Sequence, residues 1–203
     1  AIALNDTSMT VTSGAALVVG DIITFGSDTD KYKISEINSN DITFALVDDG
    51  TSGLQTVPGN NTNINREWEF ATSFSKAPGS SPDAIANSSS LDEIHIAVVD
   101  EDGLWTGIKG TVLEIFENVS KSSDAKDTTG ASNYYKEVIN NRSKYVWWAA
   151  HNSNNTNAGS ASNNVAYGAP SVVQTVSLVN GADGSAATAG QVNTALDLFK
   201  NTE

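Results

Sequence analysis

The residues of this chain that could do chemistry are few and scattered. Asp100-Glu101-Asp102-Gly103 gathers three carboxylates, which is what a hard cation needs. Its glycine comes too early for a twelve-residue calcium loop and no acid stands at the closing position, so the run reads as a turn. Asp28-Thr29-Asp30 and Asp48-Asp49-Gly50 read the same way, because Asp-Gly is first a hairpin signal. His95 and His151 lie far apart, and with no cysteine in the chain a zinc site would have to rest on those two alone. A serine triad needs its nucleophile on a sharp glycine-flanked turn, and no Gly-x-Ser-x-Gly occurs. Gly181-Ala182-Asp183-Gly184 shares only its glycines with a phosphate loop. No catalytic residue, cofactor-binding residue, metal ligand or cofactor is therefore expected, and the chain is not expected to be an enzyme. Trp105 and the pair Trp147-Trp148 could form a stacking platform for sugars or bases. Adjacent residues of a strand face opposite sides, however, so the pair is expected to be buried, one ring under each helix layer.

These residues sit mostly within 90–149, around which the chain is arranged. Ile94, Ile96 and Val98 alternate with His95, Ala97 and Val99, and a run apolar on both parities predicts a strand covered on both faces. Asp100–Gly103 ends it. Thr111 and Glu114 then stand at capping-box spacing before Val112, Ile115, Phe116 and Val119, which predicts a helix. A second helix is expected from about Ser132, with Tyr134 and Val138, and Tyr135 and Ile139, four apart, closing at Asn140-Asn141. Lys144–Ala149 reads as a returning strand.

Before this unit, short apolar runs alternate with turn residues: Ala16–Val19, Ile22–Phe25, Tyr32–Ile37 and Ile42–Val47, each followed by Gly, Asn or Asp. Arg66–Ala71 alternates as a last strand with Trp68 and Phe70 on one face. The pattern predicts an antiparallel β domain over 1–75 that closes into a small barrel or sandwich, since an open sheet this short leaves exposed edges. Lys76–Ser90 reads as a linker or surface loop, and His151–Gly168 as an exposed, mobile loop. Val172–Leu178 is a strand candidate. Thr188 and Gln191 begin a last helix whose stripe is Val192, Ala195, Leu196 and Phe199. The fold class expected is α+β overall, the β domain being followed over 76–203 by an α/β portion.

The 203 residues carry a formal charge of -13, with 10 acids against 3 bases in residues 1–75 and 14 against 8 afterwards. Such a surface repels nucleic acid and anionic membrane, so neither is an expected partner. No run approaches the roughly 20 apolar residues that span a bilayer, and membrane insertion is not expected. The chain begins at Ala1 without a methionine and stops at Glu203 just after an apparent helix, which suggests an excerpt of a longer polypeptide.

Several short motifs occur in an order that resembles one family. Asp100-Glu-Asp-Gly, Gly107-Ile-Lys-Gly-Thr-Val-Leu-Glu, Ser120-Lys, Ala125-Lys, Asn133-Tyr-Tyr-Lys, Val138-Ile-Asn and Ser143-Lys-Tyr-Val-Trp are similar to the contractile tail sheath proteins of T-even-type (myovirus) bacteriophages. Ala77-Pro-Gly-Ser-Ser, Leu178–Gly184 and Ala195-Leu-Asp-Leu-Phe extend the likeness over roughly 76–199, while the first 75 residues match far less distinctively. The resemblance implies a subtilisin-like sheath core without a catalytic triad, and an outer, variable β domain. It also implies a structural role in the virion tail, assembled in the host cytoplasm. Many copies polymerise around a tail tube and contract on a baseplate signal, driving the tube through the host envelope. The partners implied are other sheath subunits, with tube and baseplate contacted by regions outside these residues, the excerpt itself being monomeric. The sheath of a related injection system or tailocin is an equivalent reading. Two rivals come from the residues themselves: a secreted carbohydrate-binding or adhesive module, and a hydrolase with an acidic dyad at Asp100 and Asp102.

Overall fold

The computed structural model describes residues 2–151, 156–168, 173–179 and 186–197. They form a mixed α/β protein, mostly strands, with antiparallel sheets and few helices. Strands β1 (Ser8–Thr10), β2 (Ile22–Phe25), β3 (Tyr32–Asn38), β4 (Asp41–Leu46) and β5 (Ile64–Glu67) make one sheet in the order β1-β4-β3-β2-β5. Ile23 and Phe25, Tyr32 and Ile34, and Ile42 and Phe44 all point to one face, as period-two alternation requires. The rings of Phe25, Tyr32 and Phe44 meet with centroids 5.4–5.9 Å apart, and the Tyr32 hydroxyl accepts the Gln55 amide at 2.9 Å. A bulge at Ser35 shifts the inward parity of β3 from Ile34 to Ile37.

The ladder stays open. Among the described residues β1 and β5 occupy opposite ends of the strand order, and the pairing that would close a barrel is not formed. The edge beside β1 is covered instead by chain: Asn5 donates to the Leu54 carbonyl and Leu54 to that of Asp6, with the fully buried Leu54 sealing the core. Gly53 permits this approach, because a Cβ there would collide with the carbonyls of Asn5 and Asp6. Ala16–Val19 forms no strand; it is a turn-rich segment that lays Leu17 on the core. The fifth strand ends at Glu67, and Trp68 and Phe70 meet edge-on at 5.5 Å in the turn that follows.

The second unit differs more from expectation. Strand β6 (Glu93–Asp100) pairs not with a distant strand but with β7 (Thr111–Ser120), an antiparallel partner where the spacing predicts a helix. Two register breaks explain the false period. Glu117 and Asn118 together oppose His95, and Leu113 is extra between Val112 and Glu114, so apolar residues that share a face are three apart rather than two. Phe116 and Val119 are thus both buried on one side of a strand. Asn118 sits at φ 52°, the conformation the bulge demands. Helix α1 (Pro82–Ala86) starts inside the expected linker, with Ser81 capping the Ala84 amide and proline at the first turn.

Helix α2 (Tyr135–Arg142) packs Tyr135, Val138 and Ile139, with Tyr134 at its cap, onto Phe116 and Val119 of β7. The expected strand 144–149 is instead an irregular segment turned by Ser143, whose Oγ accepts the amides of Tyr145 and Val146. Of the expected exposed loop, residues 156–168 dock on the body. Tyr167 and Ser162 are buried, and Ser90 and Ala166 form a parallel bridge. Residues 173–179 belong to no helix or strand, so the described part of Val172–Leu178 is not a strand. Helix α3 (Ala189–Asp197) follows the Thr188–Gln191 cap, in which each side chain bonds the other residue's amide. The side chains of Ala195 and Leu196, Phe199, and the Gly181–Gly184 turn lie outside the described residues.

The Asn118 side-chain Oδ1 is buried without a partner, so this side chain contributes no hydrogen bond through that atom. Asn118→Gly is expected to leave stability within about 0.5 kcal/mol, whereas Asn118→Val forces a β-branched residue to positive φ and costs about 1–3 kcal/mol. Urea unfolding of the two variants against the parent checks this.

Candidate interaction surface

The connection between β6 and β7 is not a plain turn. Asp100, buried at the end of β6, accepts hydrogen bonds from the Trp105 amide (3.0 Å), the Thr106 amide (2.8 Å) and the Thr106 hydroxyl (2.9 Å). The Thr106 hydroxyl in turn accepts the Ile108 amide at 3.2 Å, the Thr111 hydroxyl donates to the Ile108 carbonyl, and the Gly110 amide returns to the Asp100 carbonyl at 2.8 Å. Gly103, at φ 76°, lies against the backbone of Ile108 and Lys109, so the two limbs of the loop touch there. Burial pushes the Asp100 carboxyl up, and the hydrogen bonds from Thr106 and Trp105 more than offset it, holding the group below the ordinary value of 3.8.

This fixed frame presents apolar side chains to water. Leu104 is 84% exposed, Trp105 75% and Ile108 69%. Beside them runs the segment after α2, tied to β7 by Glu114, whose carboxylate accepts from the Ser143 hydroxyl (2.6 Å) and the Lys144 amide (2.8 Å). It brings the Tyr145 ring edge-on to Trp105 at 5.5 Å and leaves Trp147 77% exposed. Leu104, Trp105 and Ile108 on a hydrogen-bonded backbone, with Tyr145 against Trp105, make a knob, the kind of surface that marks an interaction site.

The expected burial of both adjacent tryptophans is corrected here. Only Trp148 turns inward, its indole donating to the Tyr135 hydroxyl at 3.3 Å with the Lys136 ammonium 4.4 Å from its ring centroid. Because 144–149 is not a strand, no second layer covers Trp147. The knob itself went unread in the sequence, although Leu-Trp-Thr-Gly-Ile between Gly103 and Gly110 places three large apolar residues within a glycine-framed turn.

The titratable groups are committed elsewhere. Asp92 is fully buried, accepting the Ser81 amide (2.7 Å) and hydroxyl (2.8 Å) and the Ser120 hydroxyl (2.5 Å). Lys121, equally buried, donates to the Gly168 carbonyl at 2.6 Å and lies over the Tyr167 ring; burial holds its pKa below the ordinary value, against the pull of Asp92. His95 accepts the Asn118 amide at Nδ1 (3.0 Å), so Nε2 donates to the Lys76 carbonyl (2.7 Å), and Phe74 stacks flat on the ring at 4.3 Å. His151 lies between the hydroxyls of Tyr134 (3.4 Å) and Tyr135 (2.5 Å). The structure brings neither histidine to the acidic turn. Asp28 and Asp49 accept amides of their own turns, the Asp30 amide on one and those of Thr51 and Ser52 on the other. Asp102 is exposed beside the knob. Among the described residues no group of three or more His, Asp and Glu side chains is placed to hold a metal ion, and no helix is long and apolar enough to cross a membrane.

No known protein family, curated protein or solved structure matches this chain.

Since the Asp100 carboxyl is depressed in the folded chain, its contribution is present above the unfolded value of 3.8 and is lost as pH falls through the lower folded value. Amide exchange at Trp105 and Thr106, corrected for intrinsic rates, is expected to accelerate over that acid window. In Asp100→Ala it is expected to be fast already at pH 7, with the Ile23 and Ile34 amides unchanged in both cases.

Proposed function

We propose that this chain is part of a structural subunit of a contractile tail sheath, a building block that works through contacts between copies. Its 76–203 portion is then part of the subtilisin-like sheath core, and its 1–75 domain an outer decoration. The order of short motifs across 76–199 supports the family. The observation that carries the role is the knob: large apolar side chains held in water by a hydrogen-bonded frame. Contiguous exposed apolar surface of that kind marks interaction sites. The remaining charge distribution suits the role, because an acidic exterior keeps free subunits apart until specific faces meet.

In this reading open, non-closing contacts generate the cylinder. Rigid bodies exchange one set of interfaces for another on contraction, so the free energy resides in interfaces rather than in any covalent step. The other sheath subunits, tube and baseplate are the partners, the virion tail is the location, and neither nucleic acid nor membrane insertion is involved. A tailocin or injection-system sheath uses the same physics, and neighbouring capsid and terminase genes separate the two.

One observation favours a second reading. Trp105, Tyr145 and Trp147 are aromatic and accessible, with Glu101 and Asp102 alongside, as in a sugar-stacking surface of an adhesive module. A reproducible glycan-array signal abolished by Trp105→Ala supports that reading; silence across the array removes it.

The complete recombinant protein is expected to form tubes or polysheath-like filaments in electron micrographs. Absence of any such polymer across ionic conditions contradicts the sheath assignment. Deleting residues 5–70 is expected to leave tube formation intact; its loss would make the β domain part of the lattice.

A further inference from the structure

We propose that the Leu104–Trp105–Ile108 knob is the docking site for residues 173–179 of a second copy of this chain. The inference rests on the assembly reading for the identity of its occupant, and on three observations for the surfaces. The first is the segment itself. Val173-Gln-Thr-Val-Ser-Leu-Val179 has four large apolar side chains and no ionisable one, and Val176, Leu178 and Val179 are 74%, 80% and 71% exposed. It belongs to no helix or strand and is rich in β-branched residues, whose side chains have little χ1 freedom to lose on binding.

The second observation is electrostatic. Each copy carries -13, so two copies repel except where the facing surfaces are locally balanced. Residues 173–179 are uncharged, whereas the knob is flanked in the chain by Lys109 and Lys144 and by the acids Asp100, Glu101, Asp102 and Glu114. Because the segment itself carries no charge, its contact with the knob opposes no acid to an acid, in contrast to the five-stranded domain with its 10 acids and 3 bases.

The third is preorganisation. The Asp100 carboxylate and the Thr106 and Thr111 hydroxyls fix the knob before any partner arrives, and Trp105 braced by Tyr145 is the type of aromatic anchor that dominates small interfaces. Knob and segment are different surfaces, so the contact is heterologous. Each copy offers one of each, and the association propagates instead of stopping at a dimer. A single small contact is weak, with a dissociation constant on the order of 0.1–1 mM, so the chain is monomeric when dilute.

Sedimentation equilibrium of the 203-residue chain between about 10 μM and about 1 mM tests this over the range that the expected affinity sets. The parent is expected to exceed dimer mass at the upper end, more so when salt is raised to screen the net charge. Trp105→Ser and the double variant Val176→Ser with Leu178→Ser change only exposed positions and are each expected to stay monomeric, with thermal midpoints like the parent. Mixed in equal amounts they are expected to form a 1:1 dimer and nothing larger, since one intact knob meets one intact segment. A parent that stays monomeric at the highest concentration overturns the proposal. So does self-association by either variant, or a mixture that does not dimerise. Shielding of Trp105 by the chain's own segment appears as monomeric mass with concentration-independent protection of its indole, and also overturns it. If the complete protein forms tubes regardless of both variants, the contact is wrong and the sheath reading stands. If the parent associates as described while the complete protein forms no tubes, the contact stands and the sheath reading falls.

Discussion

A fully buried carboxylate, that of Asp92, ties the second half of the molecule together. Taken out of water it must be satisfied from within the protein, and it draws its donors from two directions: the amide and hydroxyl of Ser81, which caps α1, and the hydroxyl of Ser120 at the end of β7. The same chain segment brings in Lys121, whose amide meets the Asp92 carbonyl and whose ammonium holds the Gly168 carbonyl. One buried acid thus joins the start of the hairpin to its end, and Lys121 beside it holds the end of the 156–168 segment. The hairpin in turn carries the knob at its far end, so an exposed apolar surface is positioned by a buried polar network.

The two halves are joined along the stretch that leaves β5. Trp68 stacks on Phe74 at 5.4 Å, Phe74 on His95, and the amide and hydroxyl of Ser75 both bond the Glu117 carboxylate. The ammonium of Lys76 lies 3.3 Å from Glu93, which also accepts the Gly79 amide. These contacts line up on the bulged part of β6–β7, where Asn118 gives its amide to His95. The two residues of the bulge, Glu117 and Asn118, thus bond the connecting chain and the histidine on which that chain stacks.

Much of the first domain could be read from the sequence because its signals are local. Ile22–Phe25, Tyr32–Ile37 and Ile42–Val47 are short β-branched and aromatic runs between turn residues, and the strands match them within one residue. The second unit misleads for a specific reason. Two bulges give Val112, Phe116 and Val119 a spacing close to helical, and Thr111 with Glu114 mimics a cap, while nothing in the local pattern reports that β6 waits alongside as a partner. The short helix α1 did carry its signals, Ser81-Pro82-Asp83, inside a stretch whose proline and serine content reads as linker. The burial of Tyr167 and the docking of 156–168 depend on Lys121 and Ser89, distant in sequence, and no periodicity encodes such contacts. The candidate surface was half visible: its tryptophans stand out, but their exposure follows from an irregular 144–149 that composition presents as a strand.

Assembly as proposed needs the hydrogen-bonded frame around Asp100 to display an apolar patch that another protein surface covers. Hydroxyl-radical footprinting of the complete protein, read by mass spectrometry at Trp105 and Trp147 in dispersed and polymerised samples, addresses that claim most directly. Oxidation of Trp105 is expected to fall several-fold on polymerisation while the half-buried Trp68 and Trp148 stay as they were. Equal reactivity of Trp105 in the two states would contradict it.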